Sequence, residues 1–350
     1  MPTRKLQASS PNLQSTSKLQ IPNRRAAAGS KAWGWMLLWC LALGPWNFPS
    51  FSACQIPTPN STSVPTHSTL MTKSILSDQQ IAQFHRDGYL ILRGLFDAEE
   101  MHILRTAAKT DAALKANAYE VADGQGTAVK LALWNKAGEN IYGMVARCPR
   151  IVDTMEALLG DEVYHYHSKM SIKEPLVGGA WNWHQDYGYW YLNGCLFPDM
   201  GSAFIAVDPN TRENGCMQVL RGSHKLGRVE HGKFGDQTGA DPERVANARK
   251  VMDLDYAELA PGDVLFFHGN TLHASDQNQS PNPRWSFICC YNTKHNNPYK
   301  ASHHPFYEKL EKVPDTRLKE KGAQLLGDAS AFWRPDRDQS MAGGGKTIAR

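Results

Sequence analysis

From Val163 onward the chain breaks into short apolar runs separated by glycine- and proline-bearing turns, and this pattern limits the fold more than any other feature. The runs Val163 to Lys173, Ala203 to Asp208, Cys216 to Leu220, Val264 to His268 and Arg284 to Asn292 all have strand length and composition. Pro261-Gly262-Asp263 is a turn signal directly ahead of one of them. Many short strands joined by such turns argue for a sandwich or barrel rather than an alternating α/β layer. Ahead of this region the periodicity is helical. Ser77 and Gln80 form a capping-box pattern for a helix over 78–87, which ends at Gly88 before a strand Tyr89 to Arg93. Asp97 with Glu100 predicts a second helix reaching about Lys115, and residues 149–160 read as a third.

Within the strand-rich region, His184 and Asp186 stand two apart in Trp183-His184-Gln185-Asp186. On extended backbone, residues two apart point to the same side, so this pair is a natural chelate. A second histidine from a distant strand would complete two imidazoles and one carboxylate on one face of a metal, the donor set of non-haem Fe(II) oxygenases. The chain has 13 histidines and carries its own control, His85-Arg86-Asp87. That pair falls in the first helix, where residues two apart diverge by roughly 200°, so it cannot share an ion. For the distant ligand, His268 and His273 both qualify. Five residues apart, they would face opposite ways on an unbroken strand, and parity does not choose between them. Arg284 opens the following strand. A dicarboxylate held beside a metal needs a planar cationic fork, which arginine supplies and lysine does not.

These segments resemble the phytanoyl-CoA dioxygenase family, Fe(II)/2-oxoglutarate oxygenases that also include ectoine hydroxylase. The likeness covers roughly residues 78 to 300. It rests on Phe84-His85-Arg86-Asp87-Gly88-Tyr89, His184-Gln185-Asp186, Asn214-Gly215-Cys216 through Gly222-Ser223-His224, and the run from Pro261 through His273, Ser275, Asn278, Ser280 and Arg284. The resemblance implies a mainly β double-stranded β-helix, a cupin-like jelly roll, buttressed by N-terminal helices. It implies that His184, Asp186 and His273, rather than His268, hold Fe(II), and that Arg284 and Ser275 bind the co-substrate 2-oxoglutarate. It also suggests Lys130 as a further 2-oxoglutarate contact and Trp190 as an active-site aromatic. With O2 as second co-substrate, the implied reaction is hydroxylation of an unactivated C–H bond in a small organic molecule. Relatives that halogenate replace the carboxylate, so Asp186 favours hydroxylation. The alternatives are a cupin-like metal enzyme that ignores 2-oxoglutarate and a non-catalytic metal-binding protein of the same fold.

At 350 residues and 41% hydrophobic, the chain can bury one full core. Its net charge of +4 is misleading, because residues 1–77 hold seven Lys or Arg and no acid, leaving 31 basic against 34 acidic side chains in the rest, a balance of −3. No basic stripe remains to neutralise phosphates, so no nucleic-acid partner is expected. The segment 1–76 is read as a disordered leader or a mis-assigned start, with translation favoured at Met71. Its apolar island Ala32 to Gly44 is shorter than the roughly 20 residues of a membrane span, so no stable membrane span is expected. A cytoplasmic location follows, or a secreted or organelle-targeted one if the leader is genuine. The catalytic domain is expected over 77–334 and a flexible tail over 335–350. Cys148, Cys195, Cys216, Cys289 and Cys290 lack metal-type spacing and read as reduced, buried thiols. Residues 225–260 form an insertion with a helix expected at Asp241 to Met252, suited to a lid. Oligomeric state is not legible.

Overall fold

The computed structural model describes residues 75–327 and 332–333. The readings for residues 1–74 and for the tail from 335 lie outside the described residues.

The first helix, α1 (Asp78–Asp87), carries the full reciprocal capping box between Ser77 and Gln80 and stops at Gly88, whose φ of 83° favours glycine. The strand β1 (Tyr89–Leu92) follows. Asp97 and Glu100 cap α2 (Ala98–Thr110) in the same way. The sequence predicts that this helix continues to Lys115, but the structure divides it. Asp111 leaves helical geometry and its carboxylate accepts from the N–H groups of Ala113 and Leu114, starting α3 (Ala112–Asn117). Two strands that the sequence reading missed, β2 (Tyr119–Ala122) and β3 (Ala128–Trp134), pair antiparallel. Two further helices follow, α4 (Ile141–Arg147) and α5 (Pro149–Leu159), the second beginning at proline and ending at Gly160.

The strand-rich region then runs β4 (Val163–Lys173), β5 (Trp181–His184), the short helix α6 (Tyr187–Trp190), β6 (Met200–Ala206) and β7 (Met217–Leu220). A hairpin of β8 (His231–Phe234) and β9 (Gln237–Ala240) leads into α7 (Pro242–Ala248). The predicted insertion helix is thus shorter than 241–252, and the hairpin before it was not foreseen. The remaining elements are β10 (Leu254–Ala257), β11 (Val264–His268), β12 (His273–Ser275), β13 (Arg284–Thr293), α8 (Arg317–Lys321) and β14 (Phe332–Trp333).

These strands build two facing antiparallel sheets, a jelly roll. The larger has the order β1-β11-β6-β13-β4-β3-β14, with β2 also on β3, and the smaller the order β10-β7-β12-β5. Side-chain alternation on the long central strand β13 separates two cores. Trp285, Phe287, Cys289 and Tyr291 pack outward with the helices, while Ile288 and Cys290 pack inward with Phe204, Leu265, Phe267 and Val219 of the facing strands. On the helix side, Phe287 stacks on Trp134 with centroids 5.6 Å apart. Each such buried aromatic contributes roughly 1.5–3 kcal/mol. The five cysteines of the described residues are free and buried, and Cys289 and Cys290 face opposite cores as neighbours on a strand must. Among the described residues, no helix is long and apolar enough to cross a membrane.

Candidate metal centre

His184 is the last residue of β5 and His273 the first of β12. These two strands pair antiparallel with the two histidines directly opposite each other. Their rings lie 4.1 Å apart, centroid to centroid. Asp186 does not share the strand of His184, because β5 ends at His184 and Asp186 already has helical backbone at the start of α6. The turn from strand into helix, rather than two-residue alternation, brings the carboxylate back to the imidazoles. His184 Nε2 lies 3.8 Å and His273 Nε2 4.0 Å from Asp186 Oδ1. All three side chains are buried, with donor atoms within 4.8 Å of one another.

The hydrogen bonds behind these atoms set the chemistry. His184 Nδ1 lies 2.7 Å from the Asn182 carbonyl and His273 Nδ1 2.9 Å from that of Thr271. A carbonyl only accepts, so each Nδ1 carries the proton and each Nε2 presents a lone pair to the centre, as metal-ligating imidazoles require. Burial, and for His184 also the neighbouring His273, pushes both imidazoles below their usual range, which keeps them neutral. Burial alone would raise Asp186, but the neighbouring Lys169 and the hydrogen bond from Tyr189 help outweigh it and hold the carboxyl below the usual range. Tyr189 donates to Asp186 Oδ1 at 2.8 Å and Ser202 to Oδ2 at 3.0 Å. A first-row metal with bonds of roughly 2.0–2.2 Å sets neighbouring donors roughly 3 Å apart, so these atoms need close in by about 1–2 Å. The donor set therefore fits a divalent ion.

Gln185, between the ligand candidates, points away and anchors the loop. Its amide donates to the carbonyls of Gly227 and Asn270 and accepts from Val229 N–H, at 2.7–2.8 Å. Its own N–H donates to His231 Nε2 at 3.0 Å. His231 was given no role from sequence, yet it joins the 225–260 insertion to the metal loop. A Cβ on Gly188 would fall 2.1 Å from the His231 ring, so only glycine fits there.

One cavity reaches from this centre to Arg284 and Ser275 and is also lined by Trp190. Arg284 opens β13 of the larger sheet and approaches from the wall facing β12. It is buried, and among the described residues it has no carboxylate partner. Among these residues its Nε has no hydrogen-bond partner, and NH1 donates to Asn210 Oδ1 at 3.5 Å. Burial pushes the guanidinium down to about 10. Directly across the ladder stands Lys173, fully buried and missed from sequence, whose ammonium donates to Ser275 Oγ at 2.8 Å. That amine also donates to the Asp276 carbonyl, and burial pushes it well below the usual lysine range. The Arg284 guanidinium, with the Ser275 hydroxyl on the same cavity and no side-chain acid paired with it among the described residues, forms a socket for an anion.

Lys130 requires correction. It stands opposite Ile172, which packs into the helix-side core, whereas its neighbour Leu131 lines the cavity. Strand parity thus turns Lys130 away from the site. Its ammonium lies 3.6 Å from Glu120 and is half exposed. His268 and His273 do not share an unbroken strand: β11 belongs to the larger sheet and β12 to the smaller. His268 lies instead by Phe84 and His224, where its Nδ1 accepts from Asn270 N–H. In the control pair, Asp87 is bound bidentate by Arg86 and His85 is exposed. The buried strand β4 also carries polar residues at every second position from 167 to 173, a signal that could have revealed Lys169 and Lys173.

The family model for phytanoyl-CoA dioxygenase matches residues 84–286. Ectoine dioxygenase of Sphingopyxis alaskensis is 29% identical over 247 residues, covering 66% of this chain and 80% of that protein. L-proline trans-4-hydroxylase of Streptomyces griseoviridis is 30% identical over 192 residues, covering 50% of this chain and 72% of its own. The crystal structure of EctD from S. alaskensis with 2-oxoglutarate and 5-hydroxyectoine superposes with a TM-score of 0.59 at 25% identity, covering 71% of this chain and 91% of that one. The structure of EctD with bound Fe gives 0.59 at 26% identity over the same shares. The chain belongs to the phytanoyl-CoA dioxygenase family.

Proposed function

We propose that residues 77–334 form an Fe(II)- and 2-oxoglutarate-dependent dioxygenase that hydroxylates an unactivated C–H bond of a small organic substrate. The observation that carries this reading is the pair of opposed histidines, each with Nδ1–H on a backbone carbonyl and Nε2 facing Asp186, in a cavity that also holds the unpaired guanidinium of Arg284. His184, Asp186 and His273 would hold the iron. Arg284 and Ser275 would bind the far carboxylate of 2-oxoglutarate. Once bound, the metal and co-substrate supply the oxidising chemistry: 2-oxoglutarate and O2 become succinate, carbon dioxide and the hydroxyl placed on the substrate.

The chain's own residues supply order. The Asn182 and Thr271 carbonyls fix the imidazole tautomers, and Tyr189 with Ser202 fixes the carboxylate rotamer. Trp190, Phe204 and Phe267 wall the cavity with apolar surface, which limits water at the reacting centre. A cupin-like metal enzyme without 2-oxoglutarate would leave Arg284 as a buried charge with no counter-ion, and a non-catalytic protein would carry the same cost. The test is succinate formation from 2-oxoglutarate by the purified protein with Fe(II) and O2, with and without candidate substrates. No succinate under any of these conditions would reject the proposal.

A further inference from the structure

The segment that carries His184 and Asp186 lies at the edge of its sheet. β5 is the last strand of the smaller sheet, so β12 pairs with one side of it and, among the described residues, no strand pairs with the other. A free edge leaves backbone groups without ladder partners. Here a single side chain takes them. Gln237, buried on β9, donates through Nε2 to the Ala180 carbonyl at 2.7 Å and accepts through Oε1 from Asn182 N–H at 2.9 Å. Its amide thus stands where the peptide group of a further strand would. The same oxygen accepts from Asn182 Nδ2 at 3.0 Å. Asn182 is the residue whose carbonyl holds the Nδ1 proton of His184.

Beyond His184 the other strand of the hairpin takes over. His231 Nδ1 lies 2.7 Å from the Val229 carbonyl, so the proton sits there and Nε2 is left to accept from Gln185 N–H at 3.0 Å. Gln185 Oε1 returns the contact by accepting from Val229 N–H at 2.7 Å. The hairpin has footing of its own. Val229 and Ala240 share a small core with Val245 and Ala248 of α7 and with Leu220 and Leu272, and Trp183, the residue before His184, packs against it. At the turn, Asp236 N–H donates to the Ala122 carbonyl at 3.3 Å and the Asp236 carboxylate accepts from Ala122 N–H at 3.2 Å. Asp236, Gln237 and Thr238 also line the cavity. One hairpin therefore holds the ligand-bearing segment on both sides of His184 while facing the cavity.

Resting on the metal site of the dioxygenase reading, we infer that His231 and Gln237 are positioning residues, through which the β8–β9 hairpin sets the placement of His184 and Asp186. Metal affinity then depends on a segment that supplies no ligand. Linkage makes the dependence mutual, so metal binding must in turn steady the hairpin.

The test titrates Co(II), whose visible spectrum reports ligand geometry, into wild type, His231→Leu, His231→Gln and Gln237→Leu under argon. Loss of an outer partner typically costs roughly 10- to 100-fold in metal affinity, so each leucine variant should bind Co(II) at least about 10-fold more weakly, with an altered spectrum. His231→Gln, whose amide oxygen can stand where Nε2 does, should recover the wild-type spectrum and most of the affinity. Folded leucine variants with wild-type affinity and spectrum would overturn the inference. Equal losses in His231→Leu and His231→Gln would do the same, because ring volume rather than the acceptor would then matter. Hydrogen exchange of the wild type decides the case even where the leucine variants fail to fold. Co(II) alone, whose proposed ligands include no hairpin residue, should slow exchange from His231 to Ala240. Unchanged exchange there, with His184 to Tyr189 newly protected, would refute the coupling. A wild-type protein that binds no Co(II) would reject the metal centre and the inference with it, whereas normal wild-type binding with unmoved variants rejects the hairpin's role alone.

Discussion

Replacing Arg284 should separate two effects that usually move together, native stability and co-substrate binding. Without 2-oxoglutarate its guanidinium is buried, and among the described residues its Nε has no partner and its NH1 reaches Asn210 alone, so Arg284→Met removes an uncompensated charge. Exchanging buried charge for apolar volume is often neutral or stabilising by roughly 1–4 kcal/mol. With 2-oxoglutarate present the sign reverses. Co-substrate at about 100 times its Kd stabilises the wild type by about 2.7 kcal/mol. For a domain of this size that raises Tm by roughly 5–11 °C, and Arg284→Met forfeits it. Arg284→Lys keeps the charge but offers a point donor in place of a fork. Losing one charge-assisted bond of about 1.5–3 kcal/mol raises the Kd for 2-oxoglutarate roughly 10- to 150-fold. Thermal unfolding of the three Fe(II)-loaded proteins under argon, with and without 2-oxoglutarate, measures both effects. Equal 2-oxoglutarate shifts in all three would put the carboxylate elsewhere, and a large loss of stability in co-substrate-free Arg284→Met would show that the guanidinium is structural.

Asp186→Ala should abolish turnover and weaken Fe(II) binding beyond the roughly 10- to 100-fold loss expected for Tyr189→Phe, which removes only a hydrogen bond to the carboxylate; anaerobic metal titration ranks the two. Lys130→Ala should leave the 2-oxoglutarate requirement unchanged, and a raised requirement in succinate assays would overturn its placement on the outer face. His295 bridges Asp161 at 2.7 Å and Asp199 at 2.9 Å, and these hydrogen bonds raise its pKa above the ordinary 6.5. Its stabilisation is therefore fully present below about pH 6.5 and lost as pH rises through the raised folded value. The urea midpoint of wild type should exceed that of His295→Gln most near pH 6 and converge with it in mildly alkaline buffer; a gap that widens with pH would contradict the assignment.

Much of the framework was legible because local rules and tertiary packing agree. The capping boxes at Ser77 and Asp97 start helices where they should, and the strand pattern after Val163 gives two antiparallel sheets. The grouping of His184, Asp186 and His273 was also readable, although the route to it was not. Alternation on extended backbone fails at Asp186, which sits on the first turn of a helix, and the His268/His273 parity problem disappears because the chain changes sheets between them. Lys130 was misplaced because a position inferred from chain offset ignores which face of β3 is turned inward. Lys169, Lys173 and His231 escaped notice for a different reason. The alternating polar positions of β4 mark Lys169 and Lys173 as facing one side, but what these residues meet across the sandwich, at Asp186, Ser275 and Gln185, is set by the tertiary fold and not by a local pattern.

The most direct test is anomalous diffraction at the iron edge from crystals grown anaerobically with Fe(II) and 2-oxoglutarate. One strong peak should lie at bonding distance, roughly 2.0–2.2 Å, from His184 Nε2, His273 Nε2 and an Asp186 carboxylate oxygen. A peak bound by other side chains, or none at this position at saturating iron, would contradict the assignment of these three residues as the metal centre.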